Sequence, residues 1–264
     1  MNILVLVKEV PDMTKVKFDC EKGIVDRSSA ESEINPFDMN ALQAAVNLKN
    51  TWGASVTVLT MGPPKSERSL RDAYARGADR LIMLTDRRFG GADTCATAMT
   101  LSSAIKSMGS FDLIICGEKS VDGDTAQVGA EVAEFLDIPH AYYVENITDL
   151  NENEITVSVE NICGSRQTRK LKLPALIAVT KNINSPQLPT VNRKLKSLEM
   201  EAQRMGLDDL SCFISEEDTG FRGSPTKVSK IEVPEPTRRE SLIIRDDYQK
   251  FCEIMKTEIF KSRR

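Results

Sequence analysis

The stretch "DLIICGEKSVDGDTAQVGAEVAEFLDI" (112–138) decides the fold. It opens on "DLIIC" (112–116), a run apolar on both sides, as in a strand buried between two layers. It closes on "DTAQVGAEVAEFLDI" (124–138), whose apolar residues recur at helical spacing. A strand, a glycine-spaced loop and a helix make one βα unit of a parallel sheet. The loop poses a problem of charge. Gly123 allows a tight turn, and the free N–H groups of a helix start attract an anion. Asp122 and Asp124 repel one. Asp124 with Gln127 three residues on reads as a capping box, with Asp in place of Ser or Thr. Both carboxylates are therefore expected to cap helix N–H groups, or to face ribose and solvent.

The same unit recurs on the N-terminal side. "NILVLV" (2–7), "SVTVLTM" (55–61) and "RLIMLT" (80–85) read as buried strands. Helical patterns lie between them at "DMNALQAAVNLKN" (38–50), "SERSLRDAYARG" (66–77) and "ADTCATAMTLSSAIKSMG" (92–109), the last two stopping at glycine. Right-handed crossovers then give a doubly wound, mostly parallel α/β sheet. After Pro139 the pattern changes. "YYVENITDL", "EITVSVENI" and "QTRKLKL" read as antiparallel additions, and "PALIAVT" (174–180) returns to a buried strand. From Asn182 onward, proline-punctuated segments such as "NINSPQLPTVNRKLKS" and "VPEPTRRE" predict little core of their own. "DDYQKFCEIMKTEIF" (246–260) predicts a terminal amphipathic helix. The expected division is an α/β nucleotide-binding domain over 1–190, then an arm and C-terminal helix over 191–264. The arm is expected either to lie on another subunit or to pack on the body of its own chain.

Composition narrows the function. The 264 residues carry a net charge of −4, with no basic excess for neutralising nucleic acid phosphates. No apolar run approaches the roughly 20 residues of a membrane span. "MNILVLVKEV" lacks the basic start and cleavage site of a signal peptide, so a cytoplasmic protein is expected. The six cysteines show no CxxC spacing, which disfavours a metal or dithiol site. One histidine, His140, and no G-x-S-x-G make triad chemistry improbable. Cys116 reads as a small buried hydrophobe and His140 as a surface residue.

In an open parallel sheet a ligand binds past the carboxyl ends of the strands. The loops there are "KEVPD" (8–12), "TMGPP" (60–64), "TDRRFGGADT" (85–94) and "CGEKSVDGDTAQVG" (116–129). In "FGGADT", Gly90 and Gly91 permit close backbone approach, and Asp93 or Thr94 stands where a cap belongs. "INPFD" places Asn35 as N-cap and Pro36 as the first helical residue. Together these features point to a nucleotide. GxxxxGK[ST], GxGxxG and "SGGxDS" are all missing. A nucleotide held without a nucleophile points to a ligand that does the chemistry itself, as a redox cofactor does.

Read together, "LVLVKEVPD" (4–12), "INPFDMNALQAAVNLK" (34–49), "VTVLTMGPP" (56–64), "LRDAYARGADR" (70–80), "FGGADTCATA" (89–98), the opening stretch and "LPALIAVTKNINSPQLP" (173–189) resemble the beta subunit of electron-transfer flavoproteins. The resemblance covers most of the chain. It implies a fold similar to adenine-nucleotide alpha-hydrolases, and a heterodimer whose alpha subunit carries an FAD. In housekeeping members the beta site holds structural AMP. In electron-bifurcating members it holds a second FAD, with NAD(H) nearby. NADH then feeds ferredoxin or flavodoxin on one side and a flavin-dependent dehydrogenase on the other, of acyl-CoA, enoyl-CoA or lactate type. "TMGPP" with "FGGADT" resembles the bifurcating members. A housekeeping subunit is one alternative. A nucleotide-binding protein of the universal-stress type is the second, although the arm after residue 182 fits it poorly.

By that resemblance the adenosine diphosphate part is held by Leu6, by Asn35, Pro36, Phe37 and Asp38 of "NPFD", and by Met61. Ser120, Val121, Asp122, Gly123 and Asp124 form the first half of the main loop, and Thr125, Ala126, Gln127, Val128 and Gly129 the second. The flavin and nicotinamide are expected near Gly90, Gly91, Ala92, Asp93 and Thr94, with Lys8 and Val10 at the same mouth. No residue is expected to act as a nucleophile or to bind a metal. The chain departs from the family in two places. A basic-x-x-acidic-Gly stretch is replaced in "VENICGSRQTRKLK" (159–172). In N-x-P-R-x-P, Asn184, Pro186 and Pro189 are kept but Gln187 replaces the Arg. "TVNRKLKSLEMEAQ" (190–203) corresponds to the segment where housekeeping members dock their dehydrogenases.

Overall fold

A computed structural model of the chain describes residues 1–12, 17–19, 24–26, 32–160, 165–227, 243–245 and 247–261. Cys20, Cys163 and "VPEPTRRE" (233–240) lie outside the described residues. The chain begins with β1 (Asn2–Leu6) and four short strands, β2 (Glu9–Pro11), β3 (Lys17–Asp19), β4 (Ile24–Asp26) and β5 (Ser32–Ile34). Strands β2 and β5 form one small antiparallel pair, β3 and β4 another. Helices and strands then alternate through α1 (Pro36–Trp52), β6 (Ser55–Met61), α2 (Glu67–Arg76), β7 (Arg80–Leu84), α3 (Thr94–Met108), β8 (Leu113–Gly117) and α4 (Val128–Leu136). The strands β9 (His140–Leu150), β10 (Glu154–Val159), β11 (Gln167–Lys172) and β12 (Ala175–Val179) follow. Beyond them come α5 (Val191–Ser197), β13 (Gln203–Met205), the short α6 (Gly220–Gly223) and α7 (Tyr248–Lys261).

The described residues form a nine-stranded sheet of order β11-β10-β9-β12-β8-β1-β6-β7-β13. Pairings from β9 to β13 are parallel, and β10 and β11 add antiparallel strands beyond β9. The fold is thus the expected doubly wound α/β sheet. From β1 the chain winds outward through β6 and β7, then returns to build β8 on the other side. The strand ends of β1 and β8 therefore diverge at a switch point, where such sheets hold ligands.

Side chains alternate across the sheet, so each strand feeds two cores. Ile3, Val5, Val58, Met83, Ile115 and Ile177 join Leu42, Ala45, Leu70 and Ala73 of α1 and α2 on one face. Leu4, Leu59, Ile82, Leu84, Ile114 and Leu176 join Ala98, Leu101, Val132 and Ala133 of α3 and α4 on the other. Full burial of an aliphatic side chain stabilises by about 1.5–3 kcal/mol, and here both faces contribute. No helix among the described residues is long and apolar enough to cross a membrane.

Two features differ from the sequence reading. Helix α4 starts at Val128, not at Asp124. Asp124 and Ala126 both sit at φ 53, in the left-handed region, which interrupts a right-handed helix. Chain compactness also runs beyond residue 190. Met1–Ser229 forms one unit and Lys230–Arg264 a second. Strand β13 draws the segment after α5 into the first unit by pairing Gln203 with Ile82 and Met205 with Leu84.

Candidate functional site

At the switch point lies a cavity of about 1300 Å³. The end of β1 contributes Leu6, Val7 and Lys8, and the end of β8 contributes Cys116 and Gly117. Met61 to Pro64 and the loop Gly90–Thr94 form further walls, with Ser120, Gly123 and Thr125–Gly129 at the start of α4. Of the residues expected in the site, the cavity thus gathers Leu6, Lys8, Asp38, Met61, Gly90, Gly91, Ala92, Asp93, Thr94, Ser120 and Gly123. Thr125, Ala126, Gln127, Val128 and Gly129 also line it. Val10, Asn35, Pro36, Phe37, Val121, Asp122 and Asp124 do not line it, and several of them hold the wall from behind.

Asn35 caps nothing with its side chain. It donates from Nδ2 to the Lys119 carbonyl at 2.8 Å, and its Oδ1 accepts from the Val121 N–H at 3.1 Å. One buried amide thus clamps the loop after β8 to the start of α1. Asp38 ties the two strand ends together. Its Oδ2 accepts from the Lys8 N–H at 2.8 Å and its Oδ1 from the Gly117 N–H at 3.0 Å. Burial pushes its carboxyl up to about 7, against the pull of the Lys8, Asn35 and Gly117 hydrogen bonds and the Lys8 charge. Gly117 has no room for a side chain, because a Cβ there would stand 2.5 Å from Asp38 Oδ1 and 2.6 Å from Phe37 Cβ.

The two acids of the opening stretch do not cap α4. Asp122 pairs with Lys8 Nζ at 2.8 Å, and Asp124 with Lys119 Nζ at 2.7 Å. Gln127 is the N-cap residue of α4 and its side chain makes no capping bond. The carboxylates are neutralised laterally, and the backbone that follows them stays available. The N–H groups of Thr125, Ala126, Gln127 and Val128 meet no protein acceptor among the described residues. Left-handed backbone at a non-glycine residue costs about 1–3 kcal/mol and collects at binding sites. Such a turn followed by a helix start is a concave anion cradle.

The loop "FGGADT" forms the opposite wall. Gly91 sits at φ 73, and a Cβ there would meet Phe221 Cβ at 3.3 Å. Asp93 caps α3 as expected, its Oδ1 accepting from the Ala96 N–H at 3.0 Å. Its Oδ2 accepts from the Thr226 N–H at 2.9 Å and the Thr226 hydroxyl at 2.7 Å. Burial raises the Asp93 carboxyl, but the Ala96 and Thr226 donors outweigh it and leave it below the ordinary range. Thr94 Oγ1 donates to Glu131 Oε1 at 3.1 Å. Glu131 Oε2 is buried without a partner among the described residues, and burial, with the Asp93 charge, raises its pKa.

The sequence reading missed Glu131, Tyr142, Pro225 and Thr226 as cavity walls. Glu131 sits in the recognised stretch but beyond its glycine loop. Tyr142 comes from a strand read as a peripheral addition, and Pro225 and Thr226 from a segment read as part of the arm. No local signal marks any of these last three. Cys116 is buried and His140 exposed, as expected.

A doubly wound α/β protein with a glycine loop and a helix start facing each other across its switch point has the layout in which such sheets hold ligands. Residues 22–208 match the electron transfer flavoprotein domain. The chain is 40% identical over 236 residues to the electron transfer flavoprotein subunit beta of Clostridium acetobutylicum, covering 89% of each. It is 35% identical over 272 residues to protein FixA of Sinorhizobium fredii, covering 99% of this chain and 93% of FixA. It is 38% identical over 229 residues to the caffeyl-CoA reductase-Etf complex subunit CarD of Acetobacterium woodii, covering 86% of each. The chain belongs to the electron transfer flavoprotein beta-subunit family.

Proposed function

We propose that this chain is the beta subunit of a heterodimeric, electron-bifurcating flavoprotein and binds FAD and NAD(H) in the switch-point cavity. The observation that carries this reading is the cavity's size and continuity. Its volume of about 1300 Å³ joins the α4 cradle to the Gly90–Thr94 loop. Pockets for a single drug-sized ligand occupy roughly 300–1,000 Å³. A volume above that range favours a dinucleotide over a mononucleotide such as AMP.

The wall chemistry fits such a group. The free N–H groups of 125–128 suit a diphosphate, and the Lys8–Asp122 and Lys119–Asp124 pairs keep the loop's carboxylates from repelling it. Leu6, Leu59, Leu84, Phe89 and Leu101 make an apolar flank for an aromatic ring and exclude water from it. Gly90 and Gly91 let that ring approach the backbone. Bound there, FAD supplies hydride acceptance from NADH and one-electron delivery to ferredoxin or flavodoxin and, through the alpha-subunit FAD, to a dehydrogenase. The residues of this chain bind, orient and shield, and none is assigned a nucleophilic role.

The partners follow the same reading. CarD is named as a subunit of a caffeyl-CoA reductase complex, which favours a dehydrogenase of the CoA-ester type for this chain. Leu188, Val191, Leu195 and Leu198 are exposed on and around α5 and form an apolar ridge for that dehydrogenase. Tyr248, Phe251 and Met255 of α7 are exposed and suit the alpha subunit.

The test is to denature the purified heterodimer and count the released nucleotides. Two FAD and no AMP are expected. One FAD with one AMP would make it a housekeeping subunit instead. Bound ATP with no flavin, on a chain soluble without a partner, would make it a universal-stress-type binder.

A further inference from the structure

Tyr142 lies on β9, outside every loop the family resemblance marks. Its ring reaches the start of α4, and it lines the cavity. The Ala130 N–H donates to its phenol oxygen at 3.0 Å. The contact is tight, since a Cβ on Gly129 would stand 2.6 Å from the phenol oxygen and 2.8 Å from Cys116 Sγ. Glycine at 129 is what admits the phenol.

A phenol has one O–H to give. With the Ala130 N–H donating into the oxygen, that proton is left for another acceptor. No hydrogen bond from it is found among the described residues. N–H donation into an oxygen also strengthens the O–H as a donor in turn. Burial, helped by the nearby Cys116 and Glu131, holds the proton on the phenol by raising its pKa, against the pull of the Ala130 and Gly129 backbone N–H groups. The helix start therefore spends one N–H group of its first turn on a neutral hydroxyl at the cavity wall. Thr125, Ala126, Gln127 and Val128 line the same cavity.

We propose that Tyr142 is a ligand-binding residue whose hydroxyl donates to a phosphoryl oxygen of the nucleotide in the cavity. The inference rests on the cavity taking a phosphate-bearing nucleotide, and it does not need that nucleotide to be FAD. It assigns the inner end of the site to phosphate and makes β9 part of the binding machinery.

The test is Tyr142→Phe, which keeps the ring and removes the hydroxyl. The full-length protein, with its copurifying subunit, is stripped of nucleotide and titrated with FAD, ADP and adenosine. A hydrogen bond to a charged acceptor contributes enough that Kd for FAD and ADP should rise about tenfold or more. Kd for adenosine, which has no phosphate, should not change. Tyr143→Phe removes a neighbouring, exposed phenol and should leave all three affinities unchanged. Unchanged ADP affinity in Tyr142→Phe overturns the proposal. So does an equal loss for adenosine, which would show a structural role only. If the wild-type protein binds ADP but takes no FAD, the flavin reading fails while the contrast between ADP and adenosine still decides the role of Tyr142.

Discussion

Asp38 shows how one residue sets the site. It is buried at the junction of β1, β8 and α1 and holds both strand ends by their N–H groups. Its carboxyl titrates near 7 instead of the ordinary 3.8, chiefly because burial penalises the charge. The folded state therefore holds this proton more tightly than the unfolded chain does. The contribution is full below about pH 4 and is lost as pH rises through about 7. Denaturant unfolding measured from pH 4 to 8 should show this loss. Asp38→Asn keeps a neutral side chain of the same shape at every pH. It should lose the slope between pH 4 and 7, and an unchanged slope would assign it to another group. Nothing in "INPFD" announces this. The sequence marks Asp38 as a binding residue, and only its burial makes it a titrating pin.

At the scale of elements, the starts of α3 and α4 look alike in sequence and behave differently. Asp93 caps α3 with one oxygen and holds Thr226 with the other. Asp93→Ala should therefore destabilise the fold by about 1–2 kcal/mol, as strong caps do. Asp93→Asn, which keeps a capping oxygen, should recover most of this in thermal unfolding. Equal losses for both variants would point to the charge instead of the cap. The start of α4 was legible as a glycine loop before a helix, but its cap was not. A capping box requires the Asp at the position just before the helix. Here two left-handed residues delay the helix by four positions, and Lys8 and Lys119 take the carboxylates. The Lys8–Asp122 pair joins residues 114 apart, beyond the reach of any local pattern. The strands and the other helices were readable because their apolar periods are local.

For the whole molecule, the ridge on α5 makes the partner reading testable. Leu195 is 60% exposed and Leu198 63%. A central apolar anchor carries much of a protein interface's energy. Leu195→Glu should slow electron delivery to the dehydrogenase by about tenfold or more and leave nucleotide content and thermal stability unchanged. Stopped-flow mixing with the dehydrogenase reads this, and an unchanged rate would move the docking surface elsewhere. By itself the sequence determined the alternation of buried strands and helices, the glycine loops at strand ends and the family, because each is written in local spacing or in ordered motifs. Only the tertiary structure decided that β1 and β8 adjoin, that the cavity runs unbroken from the α4 cradle to Gly90, and that Tyr142 and Thr226 wall it. The physical reason is that these depend on sheet order and on contacts between distant segments, where burial and pairing partners set the charge and hydrogen bonding of each group. The stretch from Asp112 to Ile138 thus fixed the kind of fold, while the lysines, Asn35 and Tyr142 brought to it by folding fix what its loop can hold.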